Sequence, residues 1–153
     1  LGVELSGATK NVIAIAAGIC DGMKLGDNAK SAMLARGLAE ISRLGVALGA
    51  KLETFFGIAG VGDLATTCFS PHGRNRTCGE RLGKGEDLAV IQDTMGSVVE
   101  GVPTTKAVHQ LASDHNVNMP ISETMYSILF GDLPLEEAIG LLMSRDLKAE
   151  QLS

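Results

Sequence analysis

Tryptophan is absent, and aromatic residues make up only 3% of the 153 residues. A core must therefore be aliphatic, built from Ala, Leu, Ile, Val and Met. The three cysteines, Cys20, Cys68 and Cys78, form no even framework. A reducing compartment follows as the simpler expectation, and the cytoplasm with it. No basic n-region precedes an apolar stretch, so no signal peptide is read, and the longest apolar run is too short to span a bilayer. Positive charge is not in excess: 13 Lys and Arg stand against 18 Asp and Glu, for a net −5. That balance argues against a general binder of nucleic acid or anionic membranes, while leaving room for a local basic pocket. Alternating strand patterns, internal repeats and low-complexity tails are also missing.

What is present begins with Leu1–Met23. From Val12 to Cys20 no side chain is charged or strongly polar. A helix apolar on every face belongs in the middle of a bundle. Lys10 interrupts it, and helical spacing puts Lys10 on a stripe with Ser6, Gly7, Ile13, Ala14 and Ala17. Glycine and alanine leave open space around the amine. Two readings stand: a lysine snorkelling out at the helix end, or an amine that a site uses.

The remainder reads as helices, seven to nine in all, in an all-α domain over residues 1–153. Leu25–Asn28 breaks the first helix and offers Asp27 or Asn28 as an N-cap. A long helix runs to about Leu48, ended by Gly49, with Ala32, Leu34, Leu38, Ile41, Leu44 and Leu48 inward. Arg36, Glu40 and Arg43 read as a solvated ion-pair stripe. The first two long helices are expected to pack through Ala/Gly-rich faces. Lys51–Phe56 reads as a helical turn, Gly57–Asp63 as a glycine loop, and Leu64–Cys68 as a helix. Phe69–Gly73 turns around Pro71; Arg74–Leu82 and Leu88–Met95 are helical, and Ser97–Gly101 is a loop. Pro103, Pro120 and Pro134 each suit the first position of a helix, the last two helices ending near Phe130 and Met143. Met33, Met119, Met125 and Met143 are core filler. His109 and His115 fall on a polar helix face.

Gly60-Val61-Gly62-Asp63-Leu64-Ala65 fits the G-x-G-x-x-A dinucleotide fingerprint, with Glu80 about 20 residues on. Its context fails, since no strand-like run leads into Gly60. A tight turn presenting Asp63 is the better reading. Asp63 is then either an N-cap or a partner for Lys10. Ser70–Arg76 is a Pro/Gly turn with two arginines and an asparagine at a helix start. It is either a solvated loop or a site for a phosphate dianion, which wants free N–H groups, a positive dipole end and guanidinium forks. Cys68, His72 and Cys78 match no standard zinc spacing, so no metal is expected.

The motif Gly7-Ala8-Thr9-Lys10-Asn11-Val12-Ile13-Ala14-Ile15-Ala16-Ala17-Gly18 resembles the catalytic helix of NAD(P)-dependent glycerol-3-phosphate dehydrogenases. Gly60–Leu64, Arg74-Asn75-Arg76, Val99–Val102 and Met119-Pro120-Ile121 follow in that family's order, and 143–150 resembles its C-terminus. The likeness covers essentially the whole chain and is to the C-terminal, all-helical substrate domain. A chain beginning at Leu1 without methionine suggests a fragment, with the Rossmann half elsewhere.

The resemblance implies roles. Lys10 becomes the general acid/base at the C2 oxygen of glycerol 3-phosphate or dihydroxyacetone phosphate. Asp63 contacts the substrate or the lysine, and Gly73, Arg74 and Asn75 sit at the phosphate. Arg74, Val98 and Glu100 face the cofactor, NAD or NADP. Family members commonly carry Ser where Gly73 stands, which removes a hydroxyl from the phosphate end. A homodimer is a possible assembly. Two other readings are a helical interaction module and the substrate domain of another 2-hydroxy-substrate dehydrogenase. The isolated chain is expected to fold without catalysing.

Overall fold

The computed structural model describes the backbone of residues 2–151 and the side chains of residues 5–57 and 60–144. Leu1 and the side chains of the closing 145–150 motif lie outside the described residues. Among the described residues eight α-helices occur in order: α1 Gly2–Gly22, α2 Asp27–Ala47, α3 Asp63–Phe69, α4 Arg74–Gly83, α5 Leu88–Thr94, α6 Gly101–Asp114, α7 Pro120–Phe130 and α8 Leu135–Gln151. A 3₁₀ turn, Leu52–Phe56, and a π turn, Ile58–Gly62, join α2 to α3. No strand occurs among the described residues, as the missing alternation predicts.

The helix that carries the apolar run Val12–Cys20 lies at the centre of the described residues. α1 packs against α2, α3, α4, α6 and α7. Val12, Ile13, Ile15 and Ile19 are each 0–1% exposed. Burying side chains of this size is worth about 1.5–3 kcal/mol each, which is why a run without polar residues ends up surrounded. Met33, Met119 and Met125 are fully buried, and Met143 packs against the same cluster.

The Ala/Gly packing face differs from expectation. On α2 a single glycine, Gly37, receives the Ile13 side chain. The closest helix approach is instead between α1 and α4. A Cβ on Gly79 would stand 1.9 Å from the Ile15 carbonyl oxygen, and one on Gly18 would stand 2.0 Å from that of Arg76. Backbone meets backbone there, and no side chain can move aside. The pairs Ile15–Gly79 and Ile19–Gly83 advance together, so α4 runs parallel to α1.

Helix ends follow the expected punctuation. Gly49, with φ +94°, closes α2 in a Schellman motif: its N–H donates to Val46 and that of Ala50 to Gly45. Lys24 does the same for α1 at φ +58°, an unusual place for a residue with a Cβ. At the starts, several expectations are corrected. Asp27 is the first residue of α2 behind Gly26, with no side-chain cap. α6 opens at Gly101, two residues before Pro103, and Pro134 stands just ahead of α8. The last helix runs past Met143 to Gln151, because no residue there breaks it. The glycine stretch 57–63 is wound into the π turn rather than left as a loop.

The solvated stripe on α2 is also corrected. Glu40 is 1% exposed, and its carboxylate accepts from the Ile121 N–H at 2.5 Å and the Ser122 N–H at 3.2 Å. It thus supplies an acceptor to the start of α7 from another helix. Arg43 is exposed and Arg36 half-buried.

Candidate functional site

Lys10 sits where α1 changes from polar to apolar. Thr9 beside it is buried, its hydroxyl donating to the Leu5 carbonyl at 2.7 Å. One turn back, a Cβ on Gly7 would meet nothing within 4 Å, so the space beside the amine is open. The Lys10 side chain is 25% exposed. Its ammonium lies 3.6 Å from Asp63 Oδ2, on a carboxylate 51% exposed. That separation exceeds the roughly 2.7–2.9 Å of a charge-assisted hydrogen bond. Among the described residues the ammonium has no nearer acceptor, so its donors remain open to a ligand.

Asp63 is the first residue of α3, and Gly62 holds the N-cap position without a side-chain cap. The reading of Asp63 as a simple N-cap therefore gives way to a carboxylate at a helix start, favoured by the dipole, and turned to Lys10. Gly60 has a packing reason to be glycine: a Cβ there would stand 2.0 Å from the Phe55 carbonyl oxygen. The fingerprint-like spacing is thus the by-product of a tight turn.

α4 follows α3 through the turn Ser70–Gly73. Gly73, extended at φ −70° and ψ 132°, is its N-cap and offers no side-chain acceptor. The first N–H groups of α4 consequently have no intrahelical partner. Arg74 is exposed at the first helical position. Asn75 Oδ1 accepts the Gly101 N–H at 2.8 Å, which ties the start of α4 to the start of α6 and leaves the amide N–H donors free for other work. A Cβ on Gly101 would lie 2.6 Å from Asn75 Oδ1 and 2.9 Å from the Asn11 carbonyl oxygen. The parallel register thus brings the starts of α4 and α6 level with Lys10–Asn11 on α1. Val98 is 70% exposed and lines a groove of about 510 Å³ between Gln92 and Pro103, and Glu100 is exposed.

Other singled-out residues fall elsewhere. Cys68 and Cys78 are buried, and burial pushes their thiols up to about 12 and about 11, so both stay protonated; His72 is exposed. His109 is not simply solvated: it stacks on Tyr126 with ring centroids 3.8 Å apart, while His115 is exposed. An apolar groove of about 720 Å³ on α2, past Val46, Leu52 and Phe56, shares no residue with the Lys10 region. Its only charged lining group is Arg43.

Sequence reasoning missed a second polar cluster. Asp21 Oδ2 accepts from Lys30 Nζ and from Arg76 Nη1, each at 2.8 Å. Lys30 and Arg76 are 5% and 8% exposed. The partners stand 9 and 55 residues from Asp21, and no local pattern announces the second of these.

Residues 1–140 match the family model described as NAD-dependent glycerol-3-phosphate dehydrogenase C-terminus. The chain is 52% identical over all 153 residues to a glycerol-3-phosphate dehydrogenase [NAD(P)+] of Listeria monocytogenes, covering 45% of that protein. It is 53% identical over 150 residues to one from Salinibacter ruber, covering 98% of this chain and 44% of the relative. Among solved structures, glycerol-3-phosphate dehydrogenase from Coxiella burnetii superposes with a TM-score of 0.91 at 45% identity, over 93% of this chain and 44% of that one. The enzyme from Saccharomyces cerevisiae gives 0.81 at 31% identity, over 90% and 40%. The chain therefore spans a little under half the length of the curated relatives it matches.

Proposed function

This chain belongs to the family of NAD-dependent glycerol-3-phosphate dehydrogenase C-terminal domains, and from that premise we propose that it forms the substrate half of an oxidoreductase interconverting sn-glycerol 3-phosphate and dihydroxyacetone phosphate. One observation carries the reading: Lys10 is loosely held by Asp63, and its neighbour Asn11 packs on Gly101, which Asn75 at the uncapped start of α4 holds by a hydrogen bond. A phosphate dianion fits the free N–H groups of α4 with Arg74, and the adjoining C2 oxygen then falls toward Lys10. Gly73 contributes only its backbone N–H there, so the hydroxyl common in the family is replaced by nothing.

Lys10 acts at the C2 oxygen. In reduction its ammonium donates a proton as C2 gains a hydride; in oxidation the neutral amine takes that proton back. Asp63 orients the ammonium without gripping it, since a tight pair would remove the donors the substrate needs. The residues present fit the reactive end of NAD or NADP: Val98 offers exposed apolar surface, with Glu100 and Arg74 exposed at the starts of α6 and α4. When bound, the dinucleotide supplies or accepts the hydride. No helix among the described residues is long and apolar enough to cross a membrane, and the three buried thiols suit a cytoplasmic setting.

The test joins residues 1–153 to the dinucleotide-binding half of the Listeria monocytogenes relative and follows NADH and NADPH absorbance with dihydroxyacetone phosphate. Turnover that requires Lys10 is the expected result. A folded chimera that stays inactive with this substrate, or that turns over a sugar acid instead, overturns the proposal.

A further inference from the structure

The Asp21 cluster does more than join helices. Asp21 on α1 receives Lys30 of α2 and Arg76 of α4 on one oxygen. The Lys30 ammonium also lies 4.3 Å from the centre of the Phe69 ring at the end of α3. Arg76 pairs with Glu80 at 2.7 Å, and the same Nη2 donates to the Pro71 carbonyl at 3.3 Å. Two buried cations are costly, and well-packed apolar groups of similar volume often serve stability equally well. The Pro71 contact gives the cluster a geometric consequence. Pro71 lies in the turn Ser70–Gly73, which delivers the N-cap and first residues of α4. That turn has no other side-chain tie to the helices around it among the described residues; its remaining side-chain bond is internal, from the His72 N–H to Ser70 Oγ at 3.4 Å.

We propose that Asp21 and Arg76 are positioning residues for the phosphate end of the site: Asp21 fixes the Arg76 guanidinium, and Arg76 holds the 70–73 turn so that the N–H groups of Arg74 and Asn75 face one point. This rests on the proposed substrate reading. Neither residue touches the substrate. Lys30 shares the Asp21 oxygen but makes no hydrogen bond to residues 70–73, its other contact being the Phe69 ring at the end of α3, so it separates positioning from support.

The experiment titrates the ¹⁵N-labelled 153-residue chain with sn-glycerol 3-phosphate, using glycerol as the control, and follows the Arg74 and Asn75 amide resonances. The wild type and Lys30→Met bind alike, although Lys30→Met melts lower. Asp21→Asn and Arg76→Lys bind about tenfold more weakly, the equivalent of misaligning one hydrogen bond to a charged group. Their 70–73 amide resonances move even without ligand. Arg76→Lys keeps a cation beside Asp21 and loses the nitrogen that reaches Pro71, so it decides the matter if Asp21→Asn does not fold. Wild-type affinity in folded Asp21→Asn or Arg76→Lys overturns the proposal, as does an equal loss in Lys30→Met. A wild-type chain that responds no differently to glycerol 3-phosphate than to glycerol overturns the substrate reading, and this inference with it.

Discussion

Two charged residues on one helix, Lys10 and Asp21, meet their partners in opposite ways. Lys10 stands 3.6 Å from a single carboxylate that is half in solvent. Asp21 holds two nearly buried cations, each at 2.8 Å. The loose pair keeps donors free and has open space beside Gly7. The tight cluster spends its hydrogen-bonding capacity on neighbouring elements. Short contacts to nearly buried cations mark framework, whereas a long, half-exposed contact with open space beside it marks a place for something else to bind.

The comparison is sharpened most by removing each charge in turn. Lys10→Met in the active chimera should lower turnover by roughly 10²–10⁴, the range for losing a general acid or base. Its melting free energy should change by less than about 1 kcal/mol, because an exposed pair at this separation contributes little. Steady-state kinetics beside denaturant unfolding measures both, and a large stability loss with retained turnover would exchange the roles of the two regions.

Asp21→Ala should lose stability first, beside the roughly tenfold weaker binding expected of a positioning residue. Breaking a buried pair costs about 3–5 kcal/mol, and the partial exposure of Asp21 lowers this to roughly 2–4 kcal/mol. Urea unfolding monitored by circular dichroism reads the loss directly.

Glu40 offers a third, pH-dependent case. Burial pushes its carboxyl from the ordinary 4.5 up to about 7, although the Ile121 and Ser122 N–H groups pull it down. The folded state therefore favours the protonated form. Its contribution is intact below about 4.5 and is lost as pH rises through about 7. The expected fall in stability across that window is on the order of 3 kcal/mol. Glu40→Gln should flatten it, while lowering stability in acid by about 1 kcal/mol through the mismatched amide N–H at Ser122. Unfolding curves at pH 4, 5.5 and 7.5 distinguish the two chains; parallel pH profiles would show that Glu40 does not titrate there.

The smallest effect belongs to Lys24, which closes α1 at φ +58° just beyond Asp21. Lys24→Gly relieves a left-handed strain of about 1–2 kcal/mol and gives back about 0.5–1 in chain entropy. A net gain near 0.5–1 kcal/mol should raise the melting temperature by a few degrees. No gain, or a loss, would mean that the Lys24 side chain itself supports this helix end.

Much of the framework was legible because its causes are local. The all-apolar run from Val12 to Cys20 had to be interior, and Gly49 and Pro120 mark ends that backbone chemistry imposes. Lys10 stood out as the only cation between Leu1 and Met23. Glu40 was misread because its spacing from Arg36 and Arg43 is what a surface stripe also shows. Its true partners are more than 80 residues away.

The sequence by itself determined that the chain is helical, where most helices begin and end, which helix is central, and which polar residues are out of place. Those outcomes follow from side-chain hydrophobicity and backbone preference over a few residues. Only the tertiary structure decided that α4, rather than α2, meets α1 backbone to backbone through glycine. It also decided that Asp63 stands at Lys10, that the starts of α4 and α6 are joined through Asn75 and Gly101 against Asn11, and that Asp21 binds Arg76 across 55 residues. Those outcomes depend on register between helices, and register is set by the summed packing of every face at once.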